Sequence, residues 1–142
     1  MHALSHCVSA VCDAKPIASF NFLADPSRLG SWALGCWEAK PAAEGVVVGI
    51  SLFDGSQSYV RADADPERLV VDFAVGSDPQ QLIHRISARV IPGAALGYAE
   101  GSSIVSLIAW READMPDERW QRLVVSHDAE ILLLQARLQE PS

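Results

Sequence analysis

This chain has little basic charge, few cysteines and no long apolar run, and each shortage removes a class of protein. Lys and Arg total 11 against 18 Asp and Glu in 142 residues, a net charge of −7. Nucleic-acid binders draw most of their affinity from cationic side chains that neutralise phosphates. Neither a nucleic acid nor an anionic membrane surface is therefore expected as a partner, and the acidic excess reads as a solubilising exterior. The three cysteines, Cys7, Cys12 and Cys36, are odd in number and have no CxxC spacing. They suit a reducing compartment better than a disulfide framework. Cys7 and Cys12 would face opposite sides of a regular strand, and no metal-ligand spacing occurs. No run approaches the ~18 apolar residues of a membrane helix, so no membrane insertion is expected. The opening Met1-His2-Ala3-Leu4-Ser5-His6 has neither the basic region nor the apolar core of a signal peptide, which makes the expected location cytoplasmic. There is no GxSxG elbow and no glycine-rich phosphate loop, and nothing implies a cofactor.

What is present is a hydrophobic content of 49% without linker, repeat or low-complexity tract. One domain spanning 1–142 is expected, burying about 68% of its unfolded surface. Ala3 to Asp13 reads as a first strand. Pro16 suits the first position of a helix in which Ile17, Phe20 and Leu23 share a face. Asp25-Pro26 stops that helix, and Pro26 to Leu34 restarts as a second short helix or turn, ending at Gly35. Six strand candidates follow: Cys36–Lys40, Gly45–Phe53, Gln57–Ala64, Arg68–Val75, Leu82–Ile91 and Ser102–Arg111. Asp54-Gly55 marks a hairpin between two of them. Short turns favour antiparallel neighbours. The loop from Gly93 to Gly101 is small-residue-rich and reads as a gate or a loose hairpin. The chain closes with an amphipathic helix from Met115 to about Gln139, with Asp114 as N-cap and Pro116, Asp117 and Glu118 in its first turn. Trp120, Leu123, Val124, His127, Ile131, Leu134 and Leu138 form its apolar stripe.

This order of elements resembles the helix-grip fold of START-like (SRPBCC) proteins, which include polyketide cyclase/dehydrase-like proteins, relatives of birch pollen allergens and lipid-transfer domains. The most specific local match is the stretch from Pro16 to Trp32, with Leu23-Ala24-Asp25-Pro26 ending a small helix and Trp32 a few residues on. The resemblance spans nearly the whole chain. It implies an α+β fold: a curved seven-stranded antiparallel sheet wrapped around the long C-terminal helix, with two short helices between the first and second strands. It also implies a cavity between sheet and helix for an apolar or amphipathic small molecule. It supplies no shared catalytic motif.

Within that frame, the strand Leu82–Ile91 has one face of Leu82, His84, Ile86, Ala88 and Val90, and another of Ile83, Arg85, Ser87, Arg89 and Ile91. The first is more apolar and is expected inside, carrying His84 to the concave side. Arg85 and Arg89 are expected in solvent. His127 interrupts the helix stripe and would face the same cavity. Either histidine could orient a ligand or act as a general base. Either could instead be a core histidine satisfied by a carbonyl or water. His6 shares a face with Leu4, Val8 and Ala10, but no metal site is expected. Asp72 is expected at the surface; the face of Arg61 is ambiguous, a buried side chain suiting an acidic ligand and an exposed one a cross-strand ion pair, the commoner case. Of Trp32, Trp37, Trp110 and Trp120, at least one is expected on a pocket wall, as the resemblance implies.

The expected function is binding of a hydrophobic or aromatic small molecule, lipids included, by Trp32, His84, Trp110, Trp120, Leu123, His127 and Ile131. The alternative is a cofactor-independent cyclase/dehydratase-type enzyme with His84 or His127 as general acid/base. A weaker third reading is an interaction module like the co-chaperones of this fold, which predicts a closed cavity. An exposed strand edge would allow a homodimer.

Overall fold

The computed structural model describes residues 3–139. Met1 and His2 of the amino-terminal reading, and residues 140–142 of the domain range, lie outside the described residues. The chain runs β1 (Ser5–Cys12), α1 (Pro16–Ala24), α2 (Pro26–Leu29), β2 (Trp37–Ala43), β3 (Val46–Ile50), β4 (Gln57–Asp65), β5 (Val70–Gly76), β6 (Ile83–Pro92), a 3₁₀ turn (Gly93–Leu96), β7 (Ser103–Trp110) and α3 (Asp117–Leu138). The seven strands form one antiparallel sheet in the order β1-β7-β6-β5-β4-β3-β2. Each strand from β2 to β7 pairs with its sequence neighbour, as short connections require, and β1 closes onto β7.

The concave face is built from alternate residues. Cys12, Val60, Val71, Phe73, Ala88, Val90, Val105 and Leu107 are buried there against Phe20 and Leu23 of α1, Leu29 and Trp32 around α2, and Ile131 and Leu134 of α3. Helix α1 packs on β4 to β7, and α3 packs on β1 and β7. Buried Ser19 and Ser103 share a hydrogen bond of 2.7 Å that ties α1 to β7.

The stretch around Asp25-Pro26 works as a joint between elements. Asp25 is extended and its Oδ1 accepts from the Ser27 backbone N–H at 2.9 Å, capping α2. Gly30 follows because a side chain there would collide with the Ala39 backbone nitrogen. Trp32 then drops into the core, its ring edge-on to Phe73 at 5.8 Å between centroids.

Several boundaries differ from the sequence expectation, α2 among them, which ends at Leu29 with a turn in place of the expected run to Leu34. Helix α3 begins at Asp117, because Pro116 is extended and occupies the cap position that Asp114 was expected to fill. Met115 is buried with Ala109 and Trp120 instead of starting the helix. Strand β2 continues through Pro41 to Ala43, where a turn was expected; it is an edge strand, the place where a proline costs no ladder bond. The β3–β4 pairing stops at Ile50–Gln57, so Ser51 to Ser56 form a loop that leaves Leu52 and Phe53 exposed. The Gly93–Gly101 segment is a 3₁₀ turn closed by Gly97 in the left-handed region, φ 88°, and it does not line the cavity described below.

Candidate functional site

A cavity of about 490 Å³ lies between β4, β5 and β6 and the first four turns of α3. Small-molecule sites typically measure ~300–1,000 Å³. Val60, Phe73 and Val75 supply its apolar sheet wall, Trp32 and Ala33 one end, and Leu123 the helix side. The β3–β4 loop contributes Phe53 and Asp54, facing Arg119 and Arg122 of α3. Both arginines are exposed, so this side is the mouth. Hydrogen bonds from Ser56 hold the Asp54 carboxyl below the usual carboxylate range, with a smaller contribution from the Arg122 charge.

Three polar groups sit deeper. His127 is 2% exposed and its Nδ1 has no hydrogen-bond partner among the described residues. Burial first, then the charges of His6 and Arg85, lower its pKa to about 4. Its ring is therefore neutral at pH 7. Glu130, one turn on, lies with Oε1 3.9 Å from His127 Nε2. Its Oε2 accepts the Leu34 backbone N–H at 2.9 Å. Burial raises the Glu130 pKa to about 8, against the smaller opposing effect of the Leu34 hydrogen bond. Glu130 is thus mainly a neutral acid at pH 7, and with Oε2 accepting, its proton belongs on Oε1.

The third group is Arg85, and a β-bulge puts it there. Strand β6 pairs Ile86 with Phe73 but His84 with Ala74, so β6 carries one extra residue, Arg85, opposite a single step of β5. The inside-outside alternation reverses at that point. Arg85 and Ile86 both line the cavity, and His84 is thrown to the convex face. The expectation that His84 faces inward is therefore corrected, and so is the expectation that Arg85 is solvated. Outside, His84 Nε2 sits 2.6 Å from Asp63 Oδ2, and Asp63 also takes Arg61 Nε at 3.0 Å. The two histidines do not face one void.

Of the other sequence candidates, Trp32, Leu123 and His127 line the cavity. Trp120 is buried beside it with Ala109 and Met115, and Ile131 lies in the main core; neither lines the void. Trp110 is corrected outright: on β7 the buried residues are Ser103, Val105, Leu107 and Ala109, so the alternate set that includes Trp110 points to the convex side, and Trp110 is 44% exposed. His6 lies behind the helix, its ring 5.9 Å from that of His127 and its Nε2 3.7 Å from Asp128 Oδ1. Asp72 is exposed and accepts a hydrogen bond from Ser87 Oγ. Cys36 lines the cavity, but its thiol is pushed up to about 11 by burial and donates to the Ser58 carbonyl at 3.4 Å, so it is unreactive at neutral pH.

Sequence reasoning missed Glu130 and Arg85. Glu130 had a signal, a charged residue three positions after His127 inside an apolar stripe. Arg85 had none, because alternation alone cannot reveal a one-residue bulge.

No model of a known protein family matches the chain, and no curated protein matches it in sequence. Solved structures do match in fold. The protein XoxI from Bacillus cereus superposes with a TM-score of 0.72 at 12% identity, covering 97% of each chain. The Aha1 dimer protein from Colwellia psychrerythraea gives 0.67 at 14% identity over 96% of this chain and 97% of its own. The Zhui aromatase/cyclase from a Streptomyces species gives 0.64 at 16% identity over 95% and 93%. Sheet order, the helices after β1 and the long closing helix define a helix-grip fold, the fold of the aromatase/cyclase and Aha1 structures above.

Proposed function

We propose that the chain is a one-domain binding protein for a hydrophobic or aromatic small molecule held between the sheet and α3. The observation that supports this best is the cavity itself, with apolar walls from Val60, Phe73, Val75 and Leu123 and a few convergent polar groups. Burying about 200 Å² of apolar ligand surface would contribute about 5 kcal/mol. A void this size is also the observation that weighs against a closed interaction module. The test is native mass spectrometry of the purified protein with N-phenylnaphthylamine, a neutral aromatic probe. One-to-one complex formation is expected, and a Ser58→Trp variant that fills the void should abolish it. No complex, or a complex indifferent to Ser58→Trp, would refute the reading.

A second reading, a cofactor-independent enzyme of the cyclase/dehydratase type, is favoured by one specific arrangement. Glu130 and His127 adjoin on α3, and burial drives their pKa values to about 8 and about 4. At neutral pH this leaves a carboxylic acid able to donate a proton and a neutral imidazole able to accept one. A bound ketone would expose its oxygen to the Glu130 proton while the imidazole removes a proton from the adjacent carbon. Wild-type protein should then wash solvent deuterium into the α-carbon of a bound aryl ketone, and Glu130→Gln should not. Binding without exchange would leave the binding function alone.

The fold neighbour described as a dimer and the open edges of β1 and β2 support a homodimer as a further proposal, readable by sedimentation.

A further inference from the structure

The wall of the cavity is electrically unlike the rest of the molecule. The chain has a net charge of −7. Yet the lining contains Arg85, Arg119 and Arg122 against the carboxylates Asp54 and Glu130. Glu130 is held neutral by burial. Asp54 sits at the rim, where the Arg122 charge acts on it, while Glu112 acts on Arg85 through its charge, with no side-chain hydrogen bond between the two among the described residues. Arg85 has a buried Nη1 with no hydrogen-bond partner among the described residues. A buried guanidinium proton without an acceptor costs free energy, and natural cores rarely leave one so. Arg119 lies close enough to repel Arg85, and Arg85 in turn repels a proton on His127. Arg85 owes its place to a bulge that interrupts the sheet ladder. A cation is thus inserted into an apolar wall, beside another cation and a neutral imidazole, with its Nη1 donor unused.

From this geometry we propose that the natural ligand is a small amphipathic anion: an apolar aromatic or aliphatic body ending in one oxyanion group, which Arg85 binds inside the cavity. Arg119 and Arg122 at the mouth attract the anion, and Val60, Phe73 and Leu123 take its apolar part. The guanidinium fork matches a carboxylate-like group, and the low polarity around it strengthens the contact. The inference rests on the cavity reading above and adds the charge of the ligand.

A matched pair of dyes separates the two claims. Anilinonaphthalene sulfonate is N-phenylnaphthylamine carrying one sulfonate. Both are titrated by fluorescence into wild type, Arg85→Gln, Arg85→Lys and, as an exposed-arginine control, Arg89→Gln. Wild type should bind the sulfonate at least about tenfold more tightly than the neutral dye, the scale of one charge-assisted hydrogen bond. Arg85→Gln should erase that preference while the neutral dye still binds within about twofold of wild type. Arg85→Lys should keep part of it, and Arg89→Gln all of it. Neutral-dye binding with no sulfonate preference in wild type would overturn this inference and leave the cavity reading standing. A preference that survives in Arg85→Gln would do the same. Absence of binding by either dye would overturn both. The comparison in wild type needs no variant, so it decides even if Arg85→Gln does not fold.

Discussion

The two faces of the sheet treat the same chemistry in opposite ways. On the convex face, His84, Asp63 and Arg61 satisfy one another, with contacts of 2.6 and 3.0 Å, and all three side chains are exposed. On the concave face, His127, Glu130 and Arg85 line one cavity, yet among the described residues Nδ1 of His127 and Nη1 of Arg85 lack partners, and all three have shifted pKa values. Exposed ion pairs contribute ~0–1 kcal/mol and tolerate change. Buried polar groups without partners destabilise the fold, and clusters of them mark places where something else is meant to bind. Having a histidine on a strand or helix is therefore uninformative by itself; which face receives it decides its chemistry.

Substitutions sharpen this contrast. The largest effect should come from the concave core. Trp32→Ala should lower stability by about 3–5 kcal/mol in urea unfolding, because the ring is buried against Phe73. A near-neutral result would contradict its packing role.

Next is pH. Glu130 folds with a pKa near 8 against an ordinary 4.5, so the native state keeps a proton that the unfolded chain has released. Its contribution is complete below pH 4.5 and is lost as pH rises through 8. His127 has the opposite sign: a folded pKa near 4 against 6.5 makes stability rise with pH across that interval. The two oppose each other at acid pH, and only Glu130 acts above 6.5. The urea midpoint of wild type should therefore fall between pH 6.5 and 8, and that of Glu130→Gln should stay nearly flat over the same range. A wild-type midpoint that rises there would refute the burial of a neutral Glu130.

His127→Ala should fold and weaken anilinonaphthalene sulfonate binding about fivefold, on the scale of one net hydrogen bond. Unchanged affinity at unchanged stability would remove His127 from the site. The smallest effect belongs to the convex face: His84→Ala should change stability by less than about 0.5 kcal/mol and leave dye binding alone. A loss of dye binding would erase the distinction between the faces.

The architecture was legible because its signals are local. Turn residues, alternation and the apolar stripe of α3 each depend on a few neighbours, and the joint from Asp25 to Trp32 is carried by capping and by Gly30. The cavity was legible in Leu123 and His127, which lie on the regular helix α3, and in Trp32, which the turn after α2 drops into the core. It failed at Arg85 and His84 because one inserted residue reverses the phase of a strand, and the sequence there, Leu82-Ile83-His84-Arg85-Ile86, is apolar on both faces. Trp110 failed for a related reason: Ile104 and Ile108 make its face look like core, yet the face that packs inward is Ser103, Val105, Leu107 and Ala109, three of them small.

The most direct test is a crystal structure of the protein grown with anilinonaphthalene sulfonate. The account predicts the rings between Phe73, Val60 and Leu123, with the sulfonate within hydrogen-bond distance of Arg85. Dye on the convex face, or a cavity that stays empty at saturating dye, would contradict it.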